Sequence, residues 1–468
     1  PPHQIVRSKL TETRQLFPCR ILPLLGVTYL LQLLDKVSIG YAALLNLRAD
    51  LGLVGDQYSW ATSAFYFGYF AWSFPTTWLI VRLPIGKYLS CVVVLWGIIL
   101  ICHSACTSFA GFVVARFFLG VLEASIAPGF SFMTGMFYKR EEQTLRHGLW
   151  YLGNSAAGLF GGLLAYGIGH IDGALYSWQY MFILFGSITA AWGLVLVKYL
   201  PDGPDKAIFL TPDQRILAVQ RTKDTKPTKT KKEFKVYQVW DALTDPQAWL
   251  LCANMFGCML VNSGFSSFQG IIIAGFGYSG LKALLYQLPS SATQIGLVAI
   301  CSLSGHYIHN CRTILLASLS LISIVGTLLL YLLDDHHRSV KLFGISIMGA
   351  FAVIIPISMS MVASNIAGNT KKTTVGTMLF LSYCAGNIIS PQLFLASEEP
   401  TYPTGIKCCL AGLSLGFASA LALRCYLQYR NSQAAEPVIT DDISQSGEPE
   451  ENTEDKTDRE LKGFIYIL

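Results

Sequence analysis

The chain has 468 residues, 52% of them hydrophobic and only 13% charged, with a formal net charge of +5 at pH 7. Soluble domains carry roughly twice that charged fraction, so the composition and the mean hydropathy of +0.46 exclude a soluble globular enzyme. The modest basic excess matches the cytoplasmic loops of a membrane protein, and nucleic acid is not implied.

Apolar runs of about 20 residues, each able to cross a bilayer as a helix, recur along the whole chain. Their expected positions are 21–45, 58–81, 88–106, 109–137, 144–169, 178–200, 246–270, 281–301, 312–333, 340–363, 371–396 and 404–427. The expected fold is an all-α membrane protein with twelve transmembrane helices in two six-helix bundles. A cytoplasmic segment, 1–20, precedes the first bundle at 21–200. A polar linker at 201–245 joins it to the second bundle at 246–428, and an acidic tail occupies 429–468.

The first span carries Asp35 and Lys36 in an otherwise apolar run. The fourth carries Arg116 and Glu123, seven residues apart. Seven residues at ~100° each is nearly two turns, so the latter two share a helix face. Ionisable groups in hydrocarbon are costly and usually mark an ion or substrate pathway. From the 1.5 Å rise, Asp35 and Arg116 fall at about the same depth in the outer half, and Glu123 lies ~10 Å further in, near the midplane. A purely structural reading makes Asp35 and Arg116 an interhelical ion pair.

Tyr66 on the second span, Asn154 on the fifth, Asn262 on the seventh, Asn365 at the end of the tenth and Asn387 on the eleventh are candidate substrate contacts; each is equally available as interhelical glue. The linker holds Pro201, Pro204, Pro212, Pro227 and the basic run from Lys226 to Lys232, and reads as a cytoplasmic loop. Six spans before it and six after suggest two bundles rocking about a midplane site. From Asn431 to Leu468 ten acids face three bases, a composition expected to be disordered.

Short loops set the orientation. Arg7, Lys9, Arg14 and Arg20 precede the first span, and Arg82, Lys87, Lys139, Arg140, Arg146, Arg312, Lys371 and Lys372 follow even-numbered ones. The opposite loops 107–108 and 170–177 contain no Lys or Arg. Both termini are therefore expected in the cytoplasm. The chain opens on Pro1, so its natural start is expected upstream, and no cleavable signal peptide is recognisable.

Of twelve cysteines, most lie within spans and read as small apolar residues, not a disulfide frame. Gly275 to Gly280 fits a glycine-rich dinucleotide pattern but follows a membrane span where a strand is required. His336-His337 reads as a solvated turn beside two aspartates. No phosphate-binding Gly-Lys-Ser/Thr motif and no His-Glu-x-x-His zinc motif occurs, so neither an ATP-driven pump, an enzyme, a metal site nor a cofactor is expected.

Four segments carry a resemblance: Leu34-Asp-Lys-Val-Ser-Ile-Gly-Tyr-Ala42; Arg116-Phe-Phe-Leu-Gly-Val-Leu-Glu-Ala124 with Pro128-Gly129; Asn365 to Lys372; and Gly386-Asn-Ile-Ile-Ser-Pro-Gln-Leu-Phe394. With them the chain resembles the anion:cation symporter branch of the major facilitator superfamily, specifically the fungal allantoate permease-like group. The tail segments Asp455 to Glu460 and Phe464 to Tyr466 resemble that group's ending. Departures are as informative. Lys36 stands where the family has Arg, a point charge in place of a bidentate fork. The loop after the second span keeps Arg82, Gly86 and Lys87 without the usual acid, and 305–312 lacks its Asp-Arg pair. The charge latch between conformations, for which Arg82 and Lys87 are the candidate residues, is therefore expected to be weak.

The resemblance implies proton-coupled symport of a small organic anion, such as a ureido acid or a vitamin carboxylate, at the plasma membrane by a monomer in the lipid bilayer. It also places protonation carboxylates on the first and fourth helices. Asp35 and Glu123 are thus expected to take protons, and Lys36 and Arg116 to attract the anion. An exporter of an acidic secondary metabolite and a non-transporting nutrient receptor are the alternatives.

Overall fold

The computed structural model describes residues 2–138, 140–216, 234–308, 310–435, 455–461 and 463–468; of 2–20, 140–145, 147–152, 154, 155, 302, 305–307, 335 and 435 it describes the backbone alone. The described residues contain helices and no strand.

The first six long helices are α1 (Pro2–Leu44), α2 (Gln57–Arg82), α3 (Ile85–His103), α4 (Phe109–Phe137), α5 (Arg140–Ile168) and α6 (Ser177–Tyr199). The second six are α7 (Pro246–Gly275), α8 (Leu288–Tyr307, after a short helix Gly280–Tyr286), α9 (Arg312–Leu332), α10 (Arg338–Asn365), α11 (Asn369–Ile389) and α12 (Pro403–Ala435). Nine candidate spans among the described residues are long and apolar enough to cross a bilayer by composition alone. α2, α5 and α11 fall outside that set; of α5 the stretch Ala156–Ile168 is apolar, and α11 starts Asn-Thr-Lys-Lys, a polar turn that dilutes an otherwise apolar helix. With an even number of crossings, both chain ends emerge on one side, called here the terminal side; the other is the far side.

Local chemistry fixes the helix ends. Ser108 caps α4 by accepting from the Gly111 N–H, and Asp245 caps α7 by accepting from the Gln247 N–H ahead of Pro246 at the first helical position. Gly368 turns the chain into α11 at φ +84°, a conformation that glycine adopts at no steric cost. α4 is broken between Glu123 and Ile126, because Pro128 lacks the N–H that would bond the Ala124 carbonyl. At this break Ser125 meets the hydroxyls of Thr76 and Tyr88, which carry the freed polarity.

α2 and α4 cross at a pair of glycines: a Cβ on Gly68 would strike the Phe117 carbonyl, and one on Gly120 the Phe65 carbonyl. Close approach of small residues is how helices associate where lipid supplies no hydrophobic drive. α1 is tied to its neighbours by the Trp192 indole donating to Thr28 at 2.9 Å and Gln32 donating to the Glu123 carbonyl at 3.2 Å.

The two halves meet on the far side. Arg48 forms a fork with Glu399 at 2.7 and 2.8 Å; Tyr58 donates to the Ser267 carbonyl at 2.9 Å. Ser63 donates to the Ile388 carbonyl at 2.8 Å and receives from Gln392 at 3.0 Å. Gly40 lies against the Ser266 carbonyl and Gly162 against Leu284 and Leu288. These hydrogen bonds between halves lie between the far side and the midplane.

Candidate functional site

The four intramembrane charges converge inside the first half. Asp35 and Glu123 are fully buried and Arg116 is 1% exposed, while Lys36 is half-buried. Asp35 is positioned by α6 and α3: its Oδ2 accepts from the Thr189 hydroxyl at 3.0 Å, and the Trp96 indole faces the carboxylate short of good hydrogen-bond geometry. The Nε and Nη2 of Arg116 are buried without a hydrogen-bond partner, and the Glu123 carboxylate faces the Gln32 amide short of good hydrogen-bond geometry. Among the described residues, none of the four charges forms an ion pair. Asp35 and Arg116 are therefore not the structural interhelical pair that one reading of the sequence supplies. The four remain coupled through space, Glu123 to Lys36, Arg116 and Asp35.

Burying a charge without a partner costs several kcal/mol, and such orphaned buried groups call for an explanation. The Arg116 guanidinium lies over the Phe112 ring, 5.9 Å from its centroid.

Lys36 has a different environment. Its ammonium lies over three rings of α2: Phe65 at 5.2 Å, Tyr69 at 5.4 Å and Tyr66 at 5.8 Å. α11 continues the ring cluster from the other half. Tyr69 stacks on Phe380 at 5.9 Å, and Tyr383 approaches Tyr66 at 6.3 Å and Tyr69 at 6.5 Å. Along α2 and α11, this cluster lies on the terminal side of the Ser63–Ile388 bond. Beside it, Asn262 donates to Asn387 at 2.8 Å, and Asn387 donates to the Tyr383 carbonyl at 2.8 Å.

The structure thus gathers Asp35, Lys36, Arg116, Glu123 and Tyr66 in or beside one region, with Asn262 and Asn387 as a bonded pair at its edge. The side chain of Asn154 lies outside the described residues. Asn365 is placed elsewhere: at the terminal-side end of α10 its amide donates to the Ile467 carbonyl at 2.7 Å and accepts the Ile467 N–H at 2.9 Å. Arg82 is exposed and stacks on Trp78 at 4.5 Å, and the Lys87 main-chain N–H donates to Asp202 at 3.1 Å.

Sequence reading missed Gln32, Thr189, Phe65, Phe380 and Tyr383. Their only signal was polarity or aromaticity inside a span, which most such residues share. An apolar groove of ≈860 Å³ between α2 and α4, lined by Trp60, Phe67, Val113, Phe117 and Phe118 among others, carries no charge; exposed Trp60 and Phe118 mark it as part of the lipid-facing surface.

The expected disorder of the tail is corrected for its last residues. Lys371, fully buried at the start of α11, pairs with Asp241 at 2.9 Å, Asp245 at 2.8 Å and Asp458 at 2.9 Å. Arg459 pairs with Asp241 at 2.9 Å and Asp245 at 3.5 Å. The Asp455 carboxylate accepts the Asn369 N–H at 2.8 Å. Asn431 bonds Tyr466 in both directions, and Leu468 accepts the Arg312 N–H at 2.9 Å. Asp241 belongs to a helix, Val236–Leu243, on the terminal side. Burial works against its ionisation, yet Lys371 and Arg459 hold its carboxyl below the usual carboxylate range. Acidic composition argued for disorder, but these acids have cations to meet.

The Major Facilitator Superfamily family model matches residues 25–391. An uncharacterized transporter of Schizosaccharomyces pombe is 34% identical over 465 residues, covering 99% of this chain and 87% of that protein. The allantoate permease of Saccharomyces cerevisiae is 31% identical over 468 residues, with 95% and 84% covered. The thiamine pathway transporter THI73 of the same yeast is 30% identical over 457 residues, with 96% and 84% covered. Among solved structures, a bacterial homologue of the human lysosomal transporter Spinster, inward-facing and occupied, aligns with a TM-score of 0.64 at 16% identity, covering 88% of this chain and 96% of that one. A proton:xylose symporter aligns at 0.67 and 12% identity, covering 87% and 94%.

Proposed function

Because the chain belongs to the major facilitator superfamily and is a multi-pass membrane transporter, not an enzyme, we propose that it is a proton-coupled symporter of a small organic anion, working by alternating access at the plasma membrane. One observation carries this reading. Arg116 and Glu123 are buried opposite charges of one helix face, neither in an ion pair, with Arg116 Nε and Nη2 unsatisfied and with Lys36 and Asp35 coupled to them. A transporter needs such groups: charges satisfied by the protein have nothing left for cargo.

In this reading Lys36 and Arg116 attract the anion, and Glu123 and Asp35 take the proton. An anion that neutralises the cations removes what favours the ionised carboxylates, so proton and anion bind cooperatively, each strengthening the other by the same factor. Seating both together leaves the midplane near neutral, the condition under which the halves can rock without dragging a net charge through hydrocarbon. With both termini in the cytoplasm, the far-side closure described above corresponds to an inward-facing state. The allantoate permease relative supports an organic anion as cargo.

Uptake of labelled carboxylates by the full chain in proteoliposomes, with and without an inward proton gradient, is the test. Gradient-dependent uptake of at least one acid is expected; flux of none under any gradient would sink the symport reading and favour a receptor, and gradient-driven efflux alone would favour an exporter. Retention of full pH dependence by Glu123→Gln would remove Glu123 from proton coupling.

A further inference from the structure

The charges account for attraction of an anion but not for which anion. Around Lys36 the conspicuous chemistry is aromatic. Three rings of α2 surround the ammonium at 5.2–5.8 Å, and two of α11 lie against them across the boundary between halves. Tyr66 and Tyr69 are buried, whereas Phe380, Tyr383 and Lys36 are half-buried.

Position along the helices makes this cluster a roof. Between α2 and α11 the contacts run inward from Ser63 with Ile388 and Gln392 to Tyr66 with Tyr383, and end at Tyr69 with Phe380. A ligand that reaches Lys36 from the terminal side meets this ring cluster.

Two polar side chains nearby are already engaged: Asn387 accepts from Asn262 and donates to the Tyr383 carbonyl, and Ser63 is tied to Ile388 and Gln392. A flat unsaturated ring finds stacking partners, because aromatic pairs gain beyond their buried area. A cationic cargo is not favoured, since Lys36 itself fills the aromatic cage that would hold it.

We propose that Tyr69, Phe380 and Tyr383 are specificity-determining residues that make this transporter select anions carrying a planar aromatic ring, with the carboxylate directed to Lys36 and Arg116. This rests on the organic-anion reading above and adds the class of the anion. Because the rings come from both halves, an aromatic cargo also bridges them, and the site is complete only when α2 and α11 are together.

The experiment compares binding of benzoate and cyclohexanecarboxylate to the purified full-length protein by isothermal titration at neutral pH. The two acids match in charge and carbon count and differ in the flat ring. Benzoate is expected to bind roughly tenfold tighter, the gain of stacking on two rings. Phe380→Leu should bring the ratio close to one with little change for the saturated acid, while Phe380→Trp should keep the preference, which guards against a merely misfolded variant. Lys36→Gln should weaken both acids alike. Equal affinity for the two acids, or an unchanged ratio in Phe380→Leu, overturns the aromatic assignment and leaves the anion reading standing. Binding of neither acid also overturns the aromatic assignment, while the anion reading stands or falls with the carboxylate uptake panel.

Discussion

The first half hides four charges near the middle of the membrane, and the second gathers five at its terminal-side rim. Asp35, Lys36, Arg116 and Glu123 have opposite signs within one bundle, yet no two form an ion pair. At the rim, Lys371 alone meets three carboxylates at 2.8–2.9 Å, and Arg459 meets two of the same three. Burial is therefore no guide to role. At the rim every charge is answered by protein and the cluster serves the fold; in the first half the buried charges are not so paired, and the proposed transport role rests on that contrast. The rim joins the helix Val236–Leu243, the start of α11 and residues 455–461 into one clasp, so the end of the chain is a structural part of the second half.

Neutralising each group should separate the two roles. The largest effect is expected for Glu123→Gln: gradient-driven uptake falls at least a hundredfold, while stability stays within about 1 kcal/mol because no ion pair is lost. A large drop in stability would show that Glu123 belongs to the fold. Lys371→Met should do the reverse and cost about 3–5 kcal/mol by leaving three carboxylates facing each other with Arg459 alone; thermal unfolding in detergent reads this, and an unchanged Tm would break the contrast.

A smaller effect is expected at the far side. Arg48→Ala removes the fork to Glu399, whose partners are 26% and 38% exposed, and should cost no more than about 1 kcal/mol. Its signature is increased far-side labelling of a cysteine placed at Ser63, with restoration by the swapped pair Arg48→Glu with Glu399→Arg. Smallest is the response of the clasp to acid. Asp241 has a carboxyl held below its ordinary value, so its contribution is present above the unfolded pKa of about 4 and is lost as the pH falls through the lower folded value. Amide exchange in residues 455–461 should stay protected at neutral pH and rise only in strong acid; release between pH 6 and 7 would contradict the pairing.

The sequence by itself marked the helical segments and the four intramembrane charges that the fold brings together in the first half. Helix and span signals are local: an apolar run about 20 residues long is enough to mark a crossing. Arg116 and Glu123 share a face by spacing alone. Those features are legible because their physics is contained within a few turns of chain.

Partnership was decided only by tertiary structure. Asp35 meets Thr189 across 154 residues, Arg48 meets Glu399 across 351, and Asn365 meets Ile467 across 102. No local pattern tells a polar residue in a span whether its partner will be a neighbouring helix, a distant tail or a cargo. Asn365 and Asn262 looked alike as candidates, and the fold gave one to the tail and the other to Asn387. The acidic tail followed the same rule. Its composition describes a chain that repels itself in water, but ion pairing depends on geometry, and the second bundle presents Lys371 where Asp458 arrives.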